Sequence, residues 1–298
     1  MRIGYYVSDR GLTVDEIVDR ANAARSAGMS SAWTSDIGSW DALTALAAVG
    51  RVVPEIELAT GVVVSHSRPP LTMAAQALTV QSATGNRLTL GVGVSHQHVV
   101  EPQFGASFDR PARHLREYLT ALLGLLRGEA VDVQGETLRV TGELSTPGVR
   151  APSVLVGALG PAMLRVAGEL ADGTVTVWTG PRGLGEHIVP TITTAAAGRA
   201  APRVVAASLV TVTDDEDAAR AAVDEQYGRA RDVPHYRAAL DLDGFASMGE
   251  ATIAGDEAAV ERQISARFDA GATEFLALPY GNAEQRKRTM CLVADLAG

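Results

Sequence analysis

The chain is 298 residues long and 46% apolar, with a formal net charge of −9. That acidity argues against a nucleic-acid partner, and no apolar run is long enough to span a bilayer. Cys291 is the only cysteine and Lys287 the only lysine. The first rules out an intramolecular disulfide framework and points to a reducing compartment such as the cytoplasm. The second leaves Schiff-base chemistry to one lysine in a polar stretch near the C-terminus, which argues against an aldolase-type site.

The first residues, Arg2-Ile-Gly-Tyr-Tyr-Val7, already read as a strand, which leaves no room for a signal peptide. Further strand patterns follow at 31–35, 56–64, 88–95, 153–157, 173–178, 203–213 and 273–279. Helical patterns alternate with them at 13–27, 40–50, 70–84, 110–127, 161–171, 186–199, 215–231 and 256–270. Eight such alternations predict one α/β domain over 1–298, a (β/α)8 barrel. Gly28, Gly173 and Gly271 each stand between a helix and a strand, where an αβ turn calls for a C-cap glycine. A doubly wound open sheet is the alternative, but its first βα turn should carry a glycine fingerprint, and Ser8-Asp-Arg-Gly11 is not one. Two connections exceed the usual length. Residues 128–152 after helix four read as a hairpin insertion, and residues 232–252 after strand seven as an irregular excursion. Either could be a binding loop or surface decoration.

The pattern Leu88-Thr-Leu-Gly-Val-Gly-Val-Ser-His96 is a buried strand that ends in polar chemistry. Gly91 and Gly93 remove side chains where a barrel interior is crowded or a ligand lies against the backbone. Ser95 and His96 then put a hydroxyl and an imidazole at the C-terminal strand end, where α/β barrels carry out catalysis. Histidine can exchange a proton near neutral pH without an unusual shift. Gly157, Ala158, Leu159 and Gly160 precede Pro161, a favourable first helical residue, so the free amides there form an anion site suited to a phosphate. Thr179 and Gly180, after the strand ending at Trp178, would add hydroxyl and amide donors. His66 is a secondary candidate. His96-Gln-His98 has the look of a metal pair, but metal-dependent amidohydrolase barrels want their His-x-His after strand one and more ligands later, so no metal site is assigned.

Four segments, in order along the chain, resemble the bacterial luciferase-like oxidoreductases, and within them the branch that uses the deazaflavin coenzyme F-420. They are Ala32-Trp-Thr-Ser-Asp36, Leu58-Ala-Thr-Gly-Val-Val-Val64, Asn86-Arg-Leu-Thr-Leu-Gly-Val-Gly-Val94, and Val154-Leu-Val-Gly-Ala-Leu-Gly-Pro161 with Asp172-Gly173. The resemblance implies a non-prolyl cis peptide at Gly61–Val62, forming a bulge behind the flavin or deazaflavin ring. It places Asp36 near the ring's polar edge, Ser95 on the ring or its linker, and His96 where some relatives carry a proton-handling glutamate. It also implies a homodimer acting on a small organic substrate by hydride transfer. An FMN-dependent monooxygenase and a catalytically idle flavin-binding barrel are the alternatives. Two departures stand out. Ile37 replaces the family's frequent histidine, and the lysine that holds a sugar phosphate in some relatives has no counterpart. Arg68, Arg110 and Arg182 are the arginines available to an acidic cofactor tail, and the segment from Phe104 to Pro111, with Arg113 and Arg116, resembles the pocket's entrance.

Overall fold

The computed structural model describes residues 1–7, 11–36, 38 and 40–298. Eight parallel strands form its centre. They are β1 (Ile3–Tyr6), β2 (Ser31–Thr34), β3 (Glu57–Thr60, resuming at Val63–Val64), β4 (Leu88–Gly93), β5 (Ser153–Gly157), β6 (Gly173–Val177), β7 (Arg203–Val212) and β8 (Glu274–Pro279). Each strand pairs with the next, and β8 pairs with both β7 and β1, which closes the ring. This is the expected (β/α)8 barrel, and all eight strand patterns are strands. The pattern at 56–64 is interrupted between Thr60 and Val63, where the Gly61–Val62 peptide is cis as the resemblance implies. Ser8–Arg10 and Ile37 lie outside the described residues.

Alternation along each strand sends one set of side chains inward and the other against the helices. At the N-terminal end of the barrel the inward set is ionic. Arg203 donates from Nε to Glu274 Oε1 (2.6 Å) and from Nη2 to Glu274 Oε2 and Glu57 Oε1 (both 2.9 Å), while Nη1 reaches Thr89 Oγ1 at 3.0 Å. Arg2 pairs with the same two carboxylates. Burial alone would raise the Glu274 pKa, but the hydrogen bonds and charges of Arg203 and Arg2 outweigh it and hold the carboxyl below its ordinary value. Above this floor lies an apolar layer of Trp33, Ala59, Leu155, Val175, Val205 and Leu276. Trp33 is fully buried and donates its indole N–H to Ser31 Oγ (2.7 Å). A side chain at Gly4 would meet that indole nitrogen at 2.5 Å, so only glycine fits there.

The turn chemistry holds at two of the three expected glycines. Gly28 and Gly271 have φ of 80° and 98°, which favours glycine. Gly173 instead begins β6, where a Cβ would stand 2.0 Å from the Arg203 carbonyl oxygen, so crowding explains it. The 128–152 insertion is a hairpin of Val131–Gln134 with Arg139–Gly142. Glu117, on helix Pro111–Leu126, caps its turn by accepting from the amides of Glu136, Thr137 and Leu138. It decorates the outside of the barrel. The 232–252 excursion contains a ten-residue helix, Pro234–Asp243, where irregular chain is expected. Helix Gln97–Phe104, the short strand Ile253–Gly255 on β7 and helix Ala283–Ala297 go beyond the sequence reading, as do the short helical turns Ser65–Ser67 and Pro181–Gly183.

Candidate active site

The C-terminal strand ends of the barrel form one mouth, and the residues singled out from sequence gather there from β2, β3, β4, β5 and β6. Gly61 and Val62 occupy the break in β3, with Gly61 N donating to the Thr34 carbonyl (2.7 Å) and Asp36 N to the Val62 carbonyl (3.2 Å). Val62 explains both neighbouring strand glycines. A Cβ on Gly93 would stand 2.7 Å from one Val62 methyl, and one on Gly157 3.2 Å from the other. The Val62 side chain thus fills the space two glycines leave, and is itself only partly buried.

Asp36 is a brace. Its carboxylate accepts from Ala42 N (3.2 Å), Val64 N (3.4 Å) and Arg68 Nη2 (2.9 Å), tying the end of β2 to the β3 break and to the start of helix Ala42–Val52. Burial raises its pKa despite the Arg68 charge. Arg68 also pairs with Asp41 and donates to Gln76. Arg110 and Arg113 pair with Glu136, Arg116 with Glu169, and Arg182 with Glu186. Each arginine offered to an acidic tail therefore already has a carboxylate neighbour.

Ser95 and His96 close β4, with Ser95 in a left-handed conformation at φ 62°. His96 does not behave as the sequence suggests. Its ring stacks on His98 and His235, with centroids 5.4 and 5.0 Å away, and its Nε2 lies 3.2 Å from the Tyr236 hydroxyl. Its Nδ1 is buried without a partner among the described residues. Burial, then the nearby His235 and His98, push the His96 pKa down to about 4, so the ring is neutral at neutral pH. The easy titration near neutrality expected from sequence is overturned by desolvation. Burial also raises Tyr236, which keeps its hydroxyl protonated. His66 lies apart, stacked on His114 at 4.0 Å, and the His114 pKa is likewise held down to about 4 by burial and by His66.

Beside this cluster a cavity of about 470 Å³ opens at the ends of β5 and β6. Leu159, Gly160, Pro161 and Thr179 line it, with Arg182, Gly183 and His187 from the segment after β6 and His235, Ala239 and Asp241 from helix Pro234–Asp243. Helix Pro161–Leu170 begins at this cavity with no side chain among the described residues capping it, so its first amides are open to an anion. A Cβ on Gly160 would meet nothing within 4 Å among the described residues. His187 Nε2 donates to the Leu159 carbonyl (3.0 Å), which fixes the loop. Gly157 and Ala158 lie on the strand side of it.

The Gly180 amide, read from sequence as a ligand donor, is taken by the protein. Gly180 N and Gly183 N both donate to the Asp243 carboxylate, at 2.7 and 2.9 Å. A Cβ on either glycine would stand 2.6 Å from a carboxylate oxygen, so the two glycines form a cradle for it. Asp243, His235 and Tyr236 were all missed from sequence. The helix that carries them had a signal, Pro234 at its first position and Gly244 (φ 76°) just past its end, but nothing in the spacing joined it to His96 or Gly180.

The family model described as luciferase-like monooxygenase matches residues 1–296. A Mycobacterium tuberculosis protein named as a coenzyme F-420-dependent oxidoreductase is 30% identical over 201 residues, which is 63% of this chain and 57% of that protein. A 5,10-methylenetetrahydromethanopterin reductase of Methanolobus tindarius is 28% identical over 209 residues, 69% of this chain and 64% of the reductase. The matches thus span less than two thirds of either relative's length. Among solved structures, an F-420-dependent secondary alcohol dehydrogenase in complex with an F-420–acetone adduct superposes with a TM-score of 0.82, covering 99% of this chain and 97% of that one. At 17% identity that likeness is one of fold.

Proposed function

The chain belongs to the luciferase-like monooxygenase family, and from that premise we propose that it is a coenzyme F-420-dependent oxidoreductase. The observation that carries this reading is the cavity at the β5 and β6 ends, where the uncapped start of helix Pro161–Leu170 faces open space beside Gly160. Those residues fit a phosphate group. Leu159, Gly160 and Thr179 would hold it, with Gly157 and Ala158 behind them, and the Gly180 amide would join only on release of Asp243. The Val62 bulge, Gly61 and Ser95 would back and border the ring. The Mycobacterium tuberculosis relative whose name carries coenzyme F-420 favours this coenzyme over FMN.

When bound, F-420 supplies a ring carbon that exchanges hydride with the substrate. The chain's own contribution is positioning and proton handling. Asp36 keeps the β3 break in register through Val64 N and Arg68. His96, neutral and bonded to Tyr236, can accept a proton at a ring nitrogen or pass one from the tyrosine hydroxyl. The apolar layer of Trp33, Leu155 and Leu276 excludes water from below. On the same reading, residues 1–298 act as one domain, working in the cytoplasm as a homodimer on a small organic substrate.

The test is a titration of purified protein with F-420 and, separately, with FMN, at low and physiological salt. F-420 should bind saturably and more weakly at the higher salt, because its acidic tail is screened. Tight FMN binding without F-420 binding would overturn the reading in favour of a monooxygenase.

A further inference from the structure

A second cavity, of about 580 Å³, lies between helix Glu216–Tyr227 and helix Glu257–Asp269, with Pro181 and Phe245 in its wall. It shares no lining residue with the cavity at the mouth. Three guanidinium groups line it, Arg220, Arg262 and Arg267, together with the carboxylates of Glu216 and Glu250. Each carboxylate already has a partner, Glu216 within the cavity wall itself. Glu216 pairs with Arg220 at 2.5 Å, and Glu250 accepts from the Ala246 amide at 2.6 Å.

Arg267 is the unusual member. It is only 3% exposed, yet its one hydrogen bond among the described residues runs from Nη1 to the Gln263 carbonyl (2.7 Å). Among the described residues its covered Nε has no partner, and the Arg220 Nε is in the same condition. Asp243 acts on Arg267 only through space, since its oxygens are held by Gly180 and Gly183. Burial accordingly pulls the Arg267 pKa down to about 10. Buried charges are normally paired, and a guanidinium with donors left unfilled suits a phosphate or carboxylate.

We propose that this cavity binds a small phosphate-type dianion, inorganic phosphate or a phosphomonoester, with Arg267 as the anchor and Arg220 and Arg262 at its sides. Pro181, Phe245, Ala259 and Ala266 provide an apolar wall for the organic part of an ester. The site stands apart from the cofactor reading and does not depend on it.

The experiment follows thermal unfolding of the intact chain against inorganic phosphate, glycerol 3-phosphate, and chloride at matched ionic strength. Either phosphate should raise Tm saturably while chloride does not, and whichever saturates at the lower concentration identifies the source. Arg267→Met removes a buried unpaired charge and is expected to fold. In it the half-saturating concentration should rise at least tenfold, with F-420 affinity unchanged. Arg220→Gln should raise it at least threefold, and carries the test if Arg267→Met does not fold. The absence of a saturable shift in the unsubstituted protein, or the same shift in both variants, overturns the proposal.

Discussion

His96 shows how far a residue's chemistry depends on what the fold brings to it. Its place at a strand end was readable from the sequence, because the alternation of Leu88, Leu90, Val92 and Val94 fixes where β4 stops. Its protonation was not, because His235 and Tyr236 come from a segment 140 residues away. The consequence for pH follows from the direction of the shifts. His96 and His114 both titrate lower in the folded chain than in the unfolded one, so between pH 6.5 and about 4 the unfolded chain binds more protons. Stability is therefore fully present above pH 6.5 and is lost as pH falls toward 4. Thermal unfolding across that window should show a falling Tm, and His96→Asn and His114→Asn should each flatten the fall by about 1 kcal/mol after allowance for solvent screening.

Among the elements, helix Pro234–Asp243 has the most to do with the site and was the hardest to read. Pro234 and Gly244 were visible as breakers, and in a long connection breakers suggest irregular chain as readily as helix ends. Helix Ala283–Ala297 was missed although Asn282 and Gln285 make a capping box, a signal too short to stand out beside the strand patterns. Helix Gln97–Phe104 has Pro102 inside it, which hides it further. The helix at the mouth is latched at both ends, by Tyr236 on His96 and by Asp243 on Gly180 and Gly183. Asp243→Ala removes two charge-assisted hydrogen bonds and should cost about 1.5–3 kcal/mol locally. Hydrogen exchange should then speed up in 234–243 and at Gly180 and Gly183, with β4 and β8 unaffected. Equal acceleration throughout the barrel would mean that Asp243 supports the whole fold instead of a latch.

At the level of the molecule, the barrel was legible because eight alternations leave few other topologies, whereas its ionic floor was not. Glu57, Arg203 and Glu274 lie far apart in sequence, and each taken singly looks like a solvated charge beside a strand. Closure of the ring forces them inward together. Glu274→Leu would strand Arg203 without its main partner, and breaking a buried pair in this way costs about 3–5 kcal/mol. Urea unfolding should show that loss, and Arg203→Met combined with Glu274→Leu should recover much of it. A double variant as unstable as the sum of the singles would refute coupling at the floor.

With Arg203 and its carboxylates at the bottom and Trp33 in the layer above, the barrel interior is filled by its own side chains, and the C-terminal strand ends are the face left to receive a ligand. A filled interior separates two jobs in one chain: the loops at the rim can change without disturbing the residues that keep the ring closed.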